Sequence, residues 1–292
     1  MRFGIVILPE YPWSQAREIW AQAEQYGFDH AWTYDHLAWR TLAGDPWYSA
    51  IPTLTAAALV TTTMRLGTLV ASPNFRHPVP FAKELVTLDE ISGGRLNLGL
   101  GAGGIGFDAT VLGASVMPAR VRADRFIEFV DLLDQLLVAD HTSVQGEYFV
   151  AEDARTVPLS LQRPRIPFVV AANGPRLMRL TARQGAGWVT TGTSDPDEGL
   201  DAWWGNVAEL AATFDRVSRE HVPDANLDRY LSVDASGTAA LSSVDYFDEC
   251  VGRATELGFT DLLIHWPRSE GVYAADPAVL EEVARRHLNG LN

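Results

Sequence analysis

Ser92-Gly93-Gly94-Arg95-Leu96-Asn97-Leu98-Gly99-Leu100-Gly101-Ala102-Gly103-Gly104 is the stretch whose reading decides the fold. A short apolar run follows a glycine pair and then breaks off in Gly and Ala. That is the pattern of a buried parallel strand whose C-terminal end leaves room for a ligand. Glycine lets the backbone approach a bound group and takes up conformations closed to other residues. Val169-Val170-Ala171-Ala172-Asn173-Gly174-Pro175 repeats the pattern further along.

Working outward, short apolar runs alternate with longer amphipathic ones. Phe3–Ile7 predicts a first strand. A helix from Ser14, its N-cap, carries Ile19, Trp20 and Ala23 on one face and stops at Gly27. A second strand at His30–Tyr34 is followed by a helix over Pro52–Thr63. A third strand at Arg65–Ala71 precedes a helix from Pro78 to Gly93-Gly94. After the Leu96–Leu100 strand a long helix spans Pro118–Ala139. Asp140–Pro167 breaks the rhythm with a hairpin over Ser143–Val150 and a proline-containing loop. The alternation then resumes. Strands at Phe168–Ala171, Gly187–Thr190, Arg229–Val233 and Asp261–His265 are followed by helices at Pro175–Gly185, Asp197–His221, from Ser243, and from Asp276-Pro277. Eight strand–helix units are the count of a closed (β/α)8 TIM barrel, expected as one domain over residues 1–292. A doubly wound open sheet is the rival, but no G-x-G-x-x-G follows the first strand.

The 292 residues suit one barrel of about 250 residues or two ordinary domains. Hydrophobic residues make up 47% and charged residues 21%, enough to bury a large core. A net charge of −14 repels phosphate backbones and anionic lipids, so no nucleic-acid or membrane partner is expected. No apolar run reaches the ~18 residues of a membrane span, and no basic leader precedes the first strand. A cytoplasmic enzyme acting on a small molecule, as a homodimer, is the expectation. Cys250 is the single cysteine, at helical spacing with Phe247, Val251 and Ala254, and reads as a core residue.

In such a barrel the site lies at the C-terminal strand ends. Those ends read Tyr34-Asp35-His36, Ser72-Pro73-Asn74, Gly101-Ala102-Gly103-Gly104, Ala172-Asn173-Gly174, Thr190-Thr191-Gly192, Asp234 and His265-Trp266. They are rich in small residues and poor in carboxylates, which suits a wide flat ligand better than a metal cage. His36, His265 and Asp35 lack a recognised metal-ligand spacing, and no metal is expected. Gly174 opens a helix whose Pro175 has no N–H, so Gly174, Arg176 and Leu177 are the donors available to an anion such as a phosphate. His36 reads either as a loop histidine or as a general acid/base, with Asp35 able to orient it. Trp39 and Trp47 lie in the same loop, where they read as core packing or as an aromatic wall for a substrate.

These residues carry a resemblance. Asp35-His36, the run Leu66–Pro78, Ser92–Gly103, Ala171-Ala172-Asn173-Gly174-Pro175 and Gly185-Ala186-Gly187-Trp188 together resemble, in order, the luciferase-like flavin- and deazaflavin-dependent oxidoreductases. The resemblance implies a (β/α)8 barrel, with a ring stacked on a non-prolyl cis peptide bulge that falls at Leu69-Val70. It also implies an insertion after the seventh strand or in nearby loops. The cofactor-binding set it suggests is Leu69, Val70, Ser72, Gly101, Ala102, Gly103, Ala172, Asn173, Gly174, Arg176, Thr190 and Thr191. The catalytic pair would be His36 with Asp35. The family's two branches use coenzyme F420, a deazaflavin, or reduced FMN with oxygen. Asp35-His36 and the Asn173-Gly174-Pro175 loop lean toward F420. Sugar-phosphate dehydrogenases of that branch carry a glutamate where this chain has Gly104. Three readings follow: F420-dependent hydride transfer to a small organic substrate, an FMN-dependent monooxygenase, and a catalytically silent flavin-binding barrel.

Overall fold

The computed structural model describes residues 1–193, 198–223 and 226–288. Its barrel strands are β1 (Arg2–Val6), β2 (His30–Thr33), β3 (Arg65–Thr68), β4 (Leu96–Leu100), β7 (Phe168–Ala171), β8 (Gly187–Thr190), β9 (Asp228–Ser232) and β10 (Asp261–His265). They close in the order β1-β10-β9-β8-β7-β4-β3-β2. The intervening β5 (His141–Gln145) and β6 (Val150–Arg155) form a separate antiparallel hairpin. The helices are α1 (Trp13–Tyr26), α2 (Ala50–Ala58), α3 (Pro78–Ser92), α4 (Ala119–Val138), α5 (Pro175–Gln184), α6 (Leu200–His221), α7 (Val244–Glu256) and α8 (Pro277–His287). This is the expected (β/α)8 TIM barrel.

The chain divides into two compact units. One comprises residues 1–8, 19–32 and 169 onward. Here β10 pairs in register with β1, Arg2 opposite Asp261 and Val6 opposite His265, and β7, β8 and β9 follow in parallel. Asp261 is fully buried, which by itself pushes its carboxyl up. Hydrogen bonds from His30 and Arg2 outweigh that burial and hold it below the usual carboxylate range. Gly4 is required beside this network, because a Cβ there would lie 2.2 Å from the His30 ring. Trp188 stacks on Phe214 at 4.5 Å and anchors α6 to the sheet.

The other unit comprises residues 9–18 and 33–168. β3 and β4 pair as Leu66 opposite Leu96 and Gly67 opposite Asn97. A Cβ on Gly99 would fall 1.9 Å from the Thr68 carbonyl oxygen, so only glycine allows β3 and β4 to lie this close. Glu128 on α4 accepts three backbone N–H bonds, from Glu147, Tyr148 and Phe149, and thereby closes the β5–β6 turn.

Several boundaries differ from the sequence reading for identifiable reasons. α1 starts two residues early, at Trp13, because the Pro12 carbonyl accepts from Gln15 and Ala16, and Ser14 lies inside the helix instead of capping it. α2 stops at Ala58 rather than Thr63. The Arg95 guanidinium takes the carbonyls of Ala58, Thr61 and Met64, which gives that chain end partners other than a continued helix. β3 ends at Thr68 rather than Ala71, ahead of the cis peptide at Leu69-Val70. β6 runs on to Arg155, beyond the predicted hairpin. The predicted helix start at Asp197 lies outside the described residues. After β9 the chain makes two short 3-10 turns, Val233–Ser236 and Ala240–Ser242.

Candidate active site

The strand-end residues of the second unit form one group. Asp35 and His36 follow β2 as neighbours in the chain but take different partners. Asp35 is buried and gripped bidentately by Arg76, Nε at 2.5 Å and Nη2 at 2.7 Å. Arg76 also reaches Glu84 at 2.9 Å. Burial disfavours the Arg76 charge, and the bonds to Asp35 and Glu84 more than restore it. His36 is held instead by Asp108. Its Nδ1 lies 2.5 Å from Asp108 Oδ2, while Asp108 Oδ1 accepts the Leu37 N–H at 2.8 Å. The His36 carbonyl accepts the Trp47 indole N–H at 2.9 Å. The expectation that Asp35 orients His36 is thus corrected: Asp35 belongs to Arg76, and the orienting carboxylate comes from 72 residues away.

His36 keeps 32% of its side chain exposed and opens on a cavity of about 450 Å³. Trp39, Asn74, Ile105 and Phe107 line it, with Gly104 on its wall. Trp39 is buried and lies parallel to Trp47 at 6.5 Å, so Trp39 is at once core and cavity wall. Gly103 has φ +77°, and a Cβ there would strike the Asn74 amide at 2.5 Å. Gly104 has nothing nearer than 3.9 Å to an added Cβ, and Gly106 has nothing within 4 Å. The Gly101 N–H bonds the Ala71 carbonyl, Ala102 follows it, and Ser72 Oγ accepts the Asn74 N–H. Leu69-Val70 is cis, where the resemblance places it. Asp108, Ile105 and Phe107 were not singled out from sequence, whereas Asn74 was read as the end of the third strand. The only signal was the Phe107-Asp108 pair just beyond the Gly-rich end of β4.

The first unit holds the remaining strand ends. Ala172 is buried, and its carbonyl accepts the Trp188 indole N–H at 2.7 Å. Asn173 Oδ1 accepts from Thr190 Oγ1 at 2.7 Å, and its Nδ2 donates to the Gly192 carbonyl. Thr191 is exposed, and its carbonyl accepts from Trp203. Gly174 is the N-cap of α5 and brings no side chain of its own to the first-turn amides, and among the described residues nothing lies within 4 Å of where its Cβ would be. Arg176 is exposed on that first turn. A second His–Asp pair closes the group. His265 Nδ1 lies 2.8 Å from Asp234 Oδ2, and Tyr273 stacks on the imidazole at 3.5 Å. Among the described residues no three His, Cys, Asp or Glu side chains gather as a metal site, and no helix is long and apolar enough to cross a membrane. Cys250 is buried as expected, and burial pushes its thiol up to about 12.

Comparison with known proteins gives these features a context. The family model of the luciferase-like monooxygenases matches residues 1–251. An F420-dependent glucose-6-phosphate dehydrogenase of Beutenbergia cavernae is 35% identical over 199 residues, covering 67% of this chain and 57% of that relative. The chain thus spans under two thirds of that relative's length. The structure of a coenzyme F420 dependent tetrahydromethanopterin reductase from Methanopyrus kandleri superposes with a TM-score of 0.75 at 18% identity, covering 100% of this chain and 99% of that one. The FMN-bound oxygenating constituent of 3,6-diketocamphane monooxygenase from Pseudomonas putida superposes with a TM-score of 0.72 at 16% identity, covering 100% and 98%. Identities this low speak for the barrel alone. The family match, over most of the chain, goes further: this protein belongs to the luciferase-like monooxygenase family of oxidoreductases.

Proposed function

We propose that this chain transfers a hydride between coenzyme F420 and a small organic substrate. The observation that carries the reading is the His36–Asp108 pair opening on a cavity of about 450 Å³ whose wall combines Trp39, Ile105 and Phe107 with Arg40 and Asn74. It supplies a proton-exchanging group beside space for a substrate, which speaks against a catalytically silent barrel. The name of the Beutenbergia cavernae relative supports F420. The glycines at 101, 103 and 104 leave only the Ala102 methyl at the end of β4. Leu69, Val70 and Ser72 would hold the ring, with Ala102, Ala172, Asn173, Thr190 and Thr191 as further contacts. The amides at the N-terminus of α5, from Gly174, and the Arg176 guanidinium would take the phosphate. When bound, a deazaflavin supplies hydride and reacts poorly with oxygen.

The substrate's apolar body would lie on Trp39, Ile105 and Phe107, with its reacting oxygen at His36. His36 exchanges the proton that accompanies hydride transfer. Asp35, locked to Arg76, acts through the loop and not on the substrate. Gly104 leaves space where the sugar-phosphate dehydrogenases have a glutamate, which favours reduction of a small carbonyl compound over sugar-phosphate oxidation. One domain over residues 1–292, a homodimer and a cytoplasmic setting complete the reading, and the charge of −14 supports the absence of nucleic-acid partners.

Titration of the purified protein with F420 and with FMN tests the cofactor. F420 is expected to bind more tightly. Micromolar FMN affinity without detectable F420 binding would establish the monooxygenase reading in its place, which the FMN-bound structural neighbour keeps in view.

A further inference from the structure

We infer that Asp108 is the positioning residue of this site: it fixes His36 as the Nδ1–H tautomer and leaves Nε2 as the nitrogen that meets the substrate. The inference rests on the proposed function for its chemical consequence, but its structural core stands apart from it. Asp108 is 7% exposed, and both of its oxygens are committed, Oδ2 to His36 Nδ1 and Oδ1 to the backbone N–H of Leu37. The Leu37 N–H can only donate. A carboxylate can accept at both oxygens, so nothing in the pair opposes a proton on Nδ1. A neutral imidazole then carries its lone pair on Nε2, and a charged one carries a second N–H there.

The proton step follows. As the substrate carbonyl carbon accepts the hydride that a reduced deazaflavin would supply, the deazaflavin being oxidised and the carbonyl reduced, the C=O π pair passes to oxygen, where the new O–H bond forms as the Nε2–H bond of the imidazolium breaks. The electron pair of that bond stays on Nε2, and the neutral ring keeps Nδ1–H on Asp108. The reverse direction runs through the same atoms. Asp108 also lies next to Phe107 and three residues from Ile105, both on the cavity wall. The carboxylate that sets the tautomer is therefore built into the segment that receives the substrate.

A purely structural Asp108, which only pins the Leu37 loop, makes a different prediction for Asp108→Asn. An asparagine is nearly isosteric but has a single acceptor oxygen. The Leu37 N–H holds that oxygen, so the amide NH2 faces Nδ1 and drives the proton to Nε2. The same exchange in a Ser-His-Asp triad produces the wrong tautomer with the geometry intact. The experiment is long-range 1H–15N NMR on 15N-histidine-labelled protein without coenzyme or substrate, at alkaline pH where histidine rings are neutral. His36 is assigned by its loss in His36→Gln. The expected result is Nδ1–H in the wild type and Nε2–H in Asp108→Asn. With a substrate found by screening, kcat should fall roughly 10²–10⁴-fold while F420 affinity stays within about threefold. A wild-type His36 in the Nε2–H form, an unswitched tautomer in the variant, or a switched tautomer with unchanged kcat would each overturn the inference. Should Asp108→Asn fail to fold, the wild-type spectrum alone decides. Loss of the F420 reading would show in the titration and leave the tautomer result standing.

Discussion

His36–Asp108 and His265–Asp234 are built alike, and only one of them faces open space. In each, the imidazole Nδ1 meets an aspartate oxygen, at 2.5 Å and 2.8 Å. In each, the carboxylate also accepts backbone N–H bonds, from Leu37 in the first and from Ala240 and His265 itself in the second. The difference is cover. The His36 side chain is 32% exposed beside a cavity, whereas that of His265 is 2% exposed beneath Tyr273. Pair geometry thus does not separate the histidine proposed to carry a proton from the buried one. Access does, because a group sealed in packing cannot reach a reacting oxygen within hydrogen-bond distance.

The contrast can be broken by exchanging effects between the pairs. The largest expected effect is on turnover. His36→Ala should lower kcat roughly 10²–10⁴-fold with little change in thermal stability, and F420 affinity should fall much less. His36→Gln keeps a hydrogen bond without titrating and should be nearly as slow. Near-normal turnover in His36→Ala would return His36 to the loop histidines. The next effect is on stability. His265→Ala removes a buried ring from between Asp234 and Tyr273 and should cost about 2–5 kcal/mol in denaturant unfolding. Its kcat should change by less than about tenfold, and a larger loss at intact stability would make His265 a second functional histidine. The smallest effect sharpens the comparison without mutation. Mild acylation of histidines, mapped by mass spectrometry, should modify His36 and spare His265 in the folded protein. Equal labelling of the two would remove the distinction in access on which the assignment depends.

Much of the fold was legible because its signals are local. Asp276-Pro277, Ser243 and Gly93 act as helix caps through their own hydrogen bonds or left-handed backbone, and they appear where their types predict. The misplaced ends have long-range causes. Arg95 terminates α2 from more than thirty residues away, which no helical periodicity can anticipate. The candidate site was legible to the same extent. His36 and the glycines at 101, 103 and 174 could be found because strand ends are where a barrel puts its chemistry. Asp108 could not, since it sits on a short 3-10 turn in a loop that has no period to read.

The sequence by itself determined the alternation of strand and helix, the glycine-rich end of β4 and the candidacy of His36, because each depends on residue type and near neighbours. Only the tertiary structure decided which carboxylate serves that histidine. Asp35 lies in the buried grip of Arg76, which reaches it from 41 residues away. The place beside His36 falls to Asp108, brought there by the folding of the segment after β4.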